Sequence, residues 1–141
     1  FYVNETEATL QGLEFEVKQS LGSGFNARGL YTYLDARNDK DIRLTGRPYH
    51  KASLQLNYED SKNGWDATLW NDWIAGYYYA EAVGRRTIYK NAAISILNLV
   101  VNKKINDRFS AYFGIDNLLD TYNDTLGYDG RIWRGGVNVT F

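Results

Sequence analysis

Trp133-Arg134-Gly135-Gly136-Val137-Asn138-Val139-Thr140-Phe141 decides the fold class. Trp133, Gly135, Val137, Val139 and Phe141 alternate with Arg134, Gly136, Asn138 and Thr140, so the period is two, that of a strand with unlike faces. The same alternation recurs toward the start of the chain. Phe109, Ala111, Phe113 and Ile115 stand against Ser110, Tyr112, Gly114 and Asp116. Leu97, Leu99 and Val101 stand against Asn98, Val100 and Asn102. Trp65, Ala67 and Leu69 alternate with Asp66, Thr68 and Trp70, and Ala52, Leu54, Leu56 and Tyr58 with Ser53, Gln55 and Asn57. Leu13, Phe15 and Val17 alternate with Glu14, Glu16 and Lys18. With Phe25 to Ala36 this predicts seven strands, near 8–20, 25–36, 47–59, 64–75, 88–103, 108–117 and 130–141. No stretch has a helical period, and no internal domain boundary is visible, so 1–141 reads as one unit.

Composition narrows the classes. The 141 residues include no cysteine and one histidine, His50. Disulfide frameworks and thiolate or multi-histidine metal sites are therefore excluded, and no cofactor is expected. The net charge of −1 supplies no field for nucleic acid. Aromatic residues make up 16% of the chain although mean hydropathy is −0.49. The longest stretch without charged or strongly polar residues, 73–80, is far short of the ~20 residues that a membrane-spanning helix requires. A spanning strand needs only about 9–11 residues, apolar at every second one.

Connections alternate in length. Short polar turns lie at 21–24, 60–63 and 104–107, and long ones at 37–46, 76–87 and 118–129. Outer-membrane barrels sort their loops in this way, with short periplasmic turns and long extracellular loops. The polar faces carry full charges at Glu14, Glu16, Lys18, Arg28, Asp66 and Arg134, whereas a small soluble barrel fills its interior with apolar side chains. The apolar positions Leu13, Phe15, Val17, Leu54, Leu56, Leu69, Leu99, Val101, Phe109, Phe113, Val137 and Val139 are thus expected to face lipid. Phe25, Tyr58, Trp65 and Phe141 fall at the short-turn level, and Tyr31, Tyr33, Trp73, Tyr77, Tyr78, Tyr79 and Trp133 toward the long loops, as two aromatic girdles would. Closed barrels have an even strand count, with eight the minimum. Seven strands, the first running toward the short-turn side, therefore suggest the last part of a larger barrel.

Four segments resemble one family. Gly114-Ile115-Asp116-Asn117-Leu118-Leu119-Asp120 with Tyr122 is similar to a glycine, Asn-Leu-Phe-Asp and tyrosine pattern near the end of TonB-dependent outer-membrane receptors. Leu119 replaces the usual Phe, and Tyr122 comes one residue early. Gly46-Arg47-Pro48-Tyr49-His50 resembles the family's Arg-Pro-x-His strand opening, and Gly12-Leu13-Glu14 its Gly-x-Glu strand. Gly136, Val139 and the terminal Phe141 resemble the signal read by the barrel assembly machinery. The resemblance implies an all-β antiparallel transmembrane barrel segment, the last seven of about 22 strands. It also implies N-terminal strands and a plug domain outside this chain, and TonB engaged through that plug. The implied setting is outer-membrane lipid and lipopolysaccharide, and the implied activity is import of a ferric siderophore, haem, cobalamin or similar nutrient rather than enzymatic catalysis.

Candidates for binding an extracellular metal chelate are Arg43, Arg47, Arg85, Arg86, Tyr128, Arg131 and Trp133. Guanidinium forks suit carboxylate or catecholate oxygens, and aromatic rings suit planar parts. Against this stands a role in anchoring to lipid and lipopolysaccharide phosphates. The acidic run Asp35, Asp39 and Asp41 is interleaved with Arg37, Lys40 and Arg43 and reads as a solvated loop rather than a metal site. Two other readings stay open from the residues alone. One is a small complete outer-membrane barrel, an adhesin or a lipid-modifying enzyme using His50 with Ser95 or Ser110 and an eighth strand near 1–7 or 76–87. The other is a soluble lipocalin-like binding module.

Overall fold

The computed structural model describes residues 7–141, and every regular element among them is a β-strand. Seven long strands form one antiparallel sheet: β1 (Ala8–Gly22), β2 (Phe25–Asn38), β3 (Arg47–Asp60), β4 (Trp65–Val83), β5 (Arg86–Lys104), β6 (Phe109–Asp116) and β9 (Ile132–Val139). Their spatial order β1-β2-β3-β4-β5-β6-β9 follows the chain without a crossover. Two short strands, β7 (Tyr122–Asn123) and β8 (Tyr128–Asp129), pair with each other inside the last long connection.

Register carries the period-two pattern across the whole sheet. Leu56 lies opposite Leu69, Leu69 opposite Leu99, and Leu99 opposite Ile115. Val17 lies opposite Gly29, and Gly29 opposite Leu54. Ala67 opposes Val101, Val101 opposes Phe113, and Phe109 and Ala111 oppose Val139 and Val137. A slip of one residue would exchange faces. In the lower sheet the one shift, between Ser20 and Gly22, lies outside the paired apolar positions, so all twelve apolar positions named above share one face. That face remains accessible: Leu13 is 61% exposed, Phe15 62% and Val137 65%. A soluble sandwich would cover it.

Several expectations on element length are corrected. The connection at 76–87 is not a long loop or a separate eighth strand. β4 and β5 stay paired up to Val83 and Arg86 and form one hairpin. A bulge between Ile74 and Tyr77 shifts the register by one residue, and Gly76 takes φ +65° within it. Nineteen residues at about 3.3 Å each reach about 60 Å, well beyond the 9–11 residues of a membrane crossing. The last strand opens at Ile132 rather than near 130. An eighth strand within 1–6 lies outside the described residues.

β1 and β9 form the two edges of the sheet and do not pair with each other. Both run from the long-connection side to the short-turn side, because five hairpin reversals and the return through β7 and β8 separate them. Small turns fix the short side. Gly22 and Gly24 flank Ser23, all three at positive φ. A Cβ on Gly24 would lie 2.2 Å from the Glu59 carbonyl oxygen, so the first turn packs against β3 only because that residue has no side chain.

Candidate functional site

The second face is polar and cross-linked between strands. Arg28 donates to Glu16, which also pairs with Lys18 at 3.3 Å. Asn57 Nδ2 donates to Asp66 and to the Thr68 hydroxyl, each at 3.0 Å, and Asn102 Nδ2 donates to the other Asp66 oxygen at 3.1 Å. Arg134 pairs with Asp116. These bonds join β1 to β2, β3 to β4 and β5, and β6 to β9. These side chains are solvated, so each pair by itself adds little stability. Their effect is to fix the register and the charge pattern of the wall.

Toward the short turns the apolar face ends in aromatic rings. Phe25 and Tyr58 have centroids 4.7 Å apart, and the Lys103 ammonium sits 4.4 Å from the Trp65 ring. At the opposite end Tyr31 and Tyr33 surround His50, with the Tyr31 hydroxyl 2.8 Å from His50 Nδ1. The Ser95 hydroxyl is engaged with Asn71, accepting at 2.9 Å and donating at 3.2 Å. No serine–histidine pair forms among the described residues, so the lipid-hydrolase arrangement lacks its nucleophile–base contact.

The last connection is built on the motif residues. Asn117 takes φ 55°. Its side chain accepts from Thr121 N at 2.9 Å and donates to Thr121 O at 2.7 Å, while its own N–H donates to buried Asn98 at 3.0 Å. Asp120 closes the turn through Asn117 O at 2.9 Å, and its carboxylate accepts from Arg131 N at 2.8 Å. A Cβ on Gly130 would lie 2.6 Å from the Tyr122 hydroxyl, at a φ of +103° that disfavours any side chain. Thus Asn117, Asp120, Tyr122 and Gly130 hold both ends of the connection together. The clamp returns Tyr128 over the polar face, where it lines a recess of about 300 Å³ with Thr32 of β2, Lys51 and Ser53 of β3, and Asp72 and Ile74 of β4.

The seven binding candidates do not converge. Arg43 is held within the fold: its guanidinium lies 3.4 Å from the Tyr49 ring centre and 4.7 Å from that of Tyr78, and it donates to Asn91 at 3.0 Å and to Gly76 O. Arg47 stands beside Lys51 and Thr32 on the polar face, next to the Tyr128 recess. Arg85 and Arg86 are exposed at the tip of the β4–β5 hairpin. That hairpin is stiffened by the Tyr78–Tyr89 stack at 5.3 Å and a Lys90–Glu81 pair. Arg131 approaches Trp133 at 5.8 Å. Trp133 lies on the apolar face, opposite Ile115 and 5.8 Å from Phe113, apart from the recess.

Of the seven, only Tyr128 lines the recess, with Arg47 in the adjoining hollow that shares Thr32 and Lys51. Lys51, Ser53 and Asp72 do not stand out in the sequence, because a polar residue in an alternating strand reads the same whether it faces open water or lines a recess. Asp35 and Asp41 both pair with Arg37, and among the described residues no group of three or more His, Cys, Asp or Glu forms a metal cluster.

The chain resembles parts of much longer solved proteins. The Pseudomonas aeruginosa ferripyoverdine receptor of the outer membrane, bound to ferripyoverdine, superposes with a TM-score of 0.72 at 19% identity, over 94% of this chain and 19% of that one. The pyoverdine outer-membrane receptor FpvA from P. aeruginosa PAO1 gives 0.73 at 20% identity, over 95% and 22%. The copper transporter OprC gives 0.72 at 18% identity, over 95% and 24%. The chain thus spans less than a quarter of each of these. No curated protein matches it in sequence. The sequence profile of the family described as "TonB dependent receptor-like, beta-barrel" matches residues 1–118, most of the chain. With that match, the alternating sheet and the two unlike faces, the chain belongs to the TonB-dependent receptor β-barrel family of the bacterial outer membrane, a family of transporters and not of enzymes.

Proposed function

We propose that this chain forms the C-terminal wall and extracellular loops of an outer-membrane receptor that imports a scarce metal chelate or similar nutrient. The observation that carries this reading is the pairing of one continuous apolar face with an opposite face of cross-strand ion pairs and polar hydrogen bonds. A sheet immersed in lipid around a hydrated lumen needs both. The twelve apolar positions then contact lipid, and the polar ladder contacts a plug domain.

Both sheet edges run in the same direction, so antiparallel closure requires an odd number of further strands between β9 and β1. Strands and a plug outside this chain supply the remaining wall and the connection to TonB. The Gly136–Phe141 segment serves the barrel assembly machinery. Lipopolysaccharide surrounds the upper aromatic level. One structural relative is bound to ferripyoverdine and another is a copper transporter, and a ferric chelate is our first cargo candidate.

The test is growth and radiolabelled uptake by a strain lacking the intact receptor, supplied in turn with ferric siderophores, haem, cobalamin and copper. Loss of uptake of one of them, restored by the intact gene, supports the reading. Unchanged uptake of every candidate refutes it. Removal of Phe141 from the intact receptor is expected to reduce the folded, heat-modifiable form at least several-fold while synthesis continues.

A further inference from the structure

The recess beneath Tyr128 has a composition that the polar ladder lacks. Elsewhere on the polar face Glu16, Asp66 and Asp116 each accept from a neighbouring strand. Here a cation and an anion face one hollow without pairing: neither Lys51 nor Asp72 forms an ion pair among the described residues. Ser53 stands opposite Asp72, and Lys51 opposite Ile74. The two charges are therefore diagonal neighbours, with backbones about 7–8 Å apart. The hydroxyls of Thr32 and Ser53 add donors and acceptors, Ile74 adds an apolar patch, and Tyr128 lines the hollow from the last connection. The volume of about 300 Å³ lies at the small end of the range for small-molecule sites.

We propose that this recess binds a zwitterionic, amino-acid-like group, its carboxylate on Lys51 and its ammonium on Asp72, beneath the Tyr128 ring. A purely anionic group would satisfy Lys51 and be repelled by Asp72, and a purely cationic group would meet the reverse. A group carrying both charges satisfies each side at once, while its side chain rests on Ile74. Arg47, next to Lys51, extends the anion-binding side for a ligand with a second carboxylate. The proposal rests on the reading of the polar face as the lumenal wall of a receptor, and it specifies the chemistry that one part of this wall selects.

The test uses the intact receptor in detergent micelles with 3-fluorotyrosine incorporated, the Tyr128 signal being assigned by its loss in Tyr128→Phe. Three probes are titrated: alanylalanine, its N-acetyl form and its C-terminal amide. Alanylalanine is expected to shift the Tyr128 signal saturably, at a concentration about tenfold or more below that needed for either blocked form, as expected when one of two charge-assisted contacts is lost. Lys51→Gln and Asp72→Asn are each expected to remove that preference. The exchange Lys51→Asp with Asp72→Lys is expected to restore it, because it reverses the ligand's orientation and keeps both contacts. Equal response to alanylalanine and its N-acetyl form would overturn the zwitterion assignment, as would no response to any probe. Uptake by the unmodified receptor, measured separately, reports on the transport reading alone.

Discussion

Leu69→Arg gives the most direct check of which face meets lipid. Leu69 lies midway between Trp65 and Trp73 on the apolar face of β4 and is flanked by Leu56 and Leu99. The eight residues from one tryptophan to the other cover about 26 Å along the strand, and a tilt near 40° reduces this to about 20 Å along the membrane normal. Leu69 is then about 10 Å from either aromatic level, where an arginine facing lipid costs about 2–4 kcal/mol. The matched control is Gln55→Arg. Gln55 lies on the polar face of the adjacent strand, opposite Trp70 and Arg28. Its replacement adds one like-charge contact with Arg28, within the roughly 0.2–1 kcal/mol of cross-strand pairs. The two changes insert the same side chain and differ only in the face. Urea unfolding of the intact receptor in lipid vesicles, followed by tryptophan fluorescence and by gel mobility with and without boiling, measures both. The reasoning predicts that Leu69→Arg lowers the folding equilibrium about 30-fold or more, and Gln55→Arg less than about fivefold. Equal losses, or a larger loss for Gln55→Arg, would refute the assignment of faces.

Three further outcomes are expected. Asn117→Ala removes both bonds to Thr121 and places alanine at φ 55°; a local loss of about 1–3 kcal/mol is expected, read as faster amide exchange across 117–131 with little change in β1–β3. Arg43→Ala removes the cation between the Tyr49 and Tyr78 rings and should loosen the 38–46 connection by about 0.5–2 kcal/mol, seen as faster proteolysis there while the lower sheet stays intact. The Lys104 ammonium, 2.8 Å from Asp107 in a short turn, holds the Asp107 carboxyl below the usual carboxylate range, first by hydrogen bonding and then by charge. Its folded value lies below its unfolded one, so the contribution to the turn is fully present above the ordinary aspartate range near pH 4 and is lost as pH falls through the lowered value. Amide protection at 105–108, taken relative to the intrinsic exchange rate at each pH, should therefore fall at acid pH, and Asp107→Asn should abolish that fall.

Much of the fold is legible in the alternation because one chemical rule acts at every second residue of every strand. Leu13, Leu54, Leu69, Leu99 and Val137 can share a face only if the sheet is in register, and hairpin connections between successive strands leave little choice of register. The cross-strand ladder from Glu16 to Arg134 follows from the same alternation. The hairpin from Ile74 to Asn91 was harder to read. Residues 80–91 are exposed on both faces, so the alternation fades, and Gly76 and Gly84 resemble loop residues although pairing continues to Val83 and Arg86. The family segment Asn117–Tyr122 stood out in the sequence, but its bonds to Thr121, Asn98 and Arg131 emerge only in three dimensions.

The sequence by itself determined the strands, the separation of apolar from charged faces and the positions of the short turns, because these depend on neighbours a few residues apart. Tertiary structure decided which candidates meet. Arg43 is sandwiched between Tyr49 and Tyr78, Trp133 belongs to the apolar face, and Tyr128 returns over Lys51 and Asp72 from more than fifty residues away. The physical reason is that facing along a strand is set by local geometry, whereas the path of a long connection is set by the clamp at its ends and by the surface beneath it.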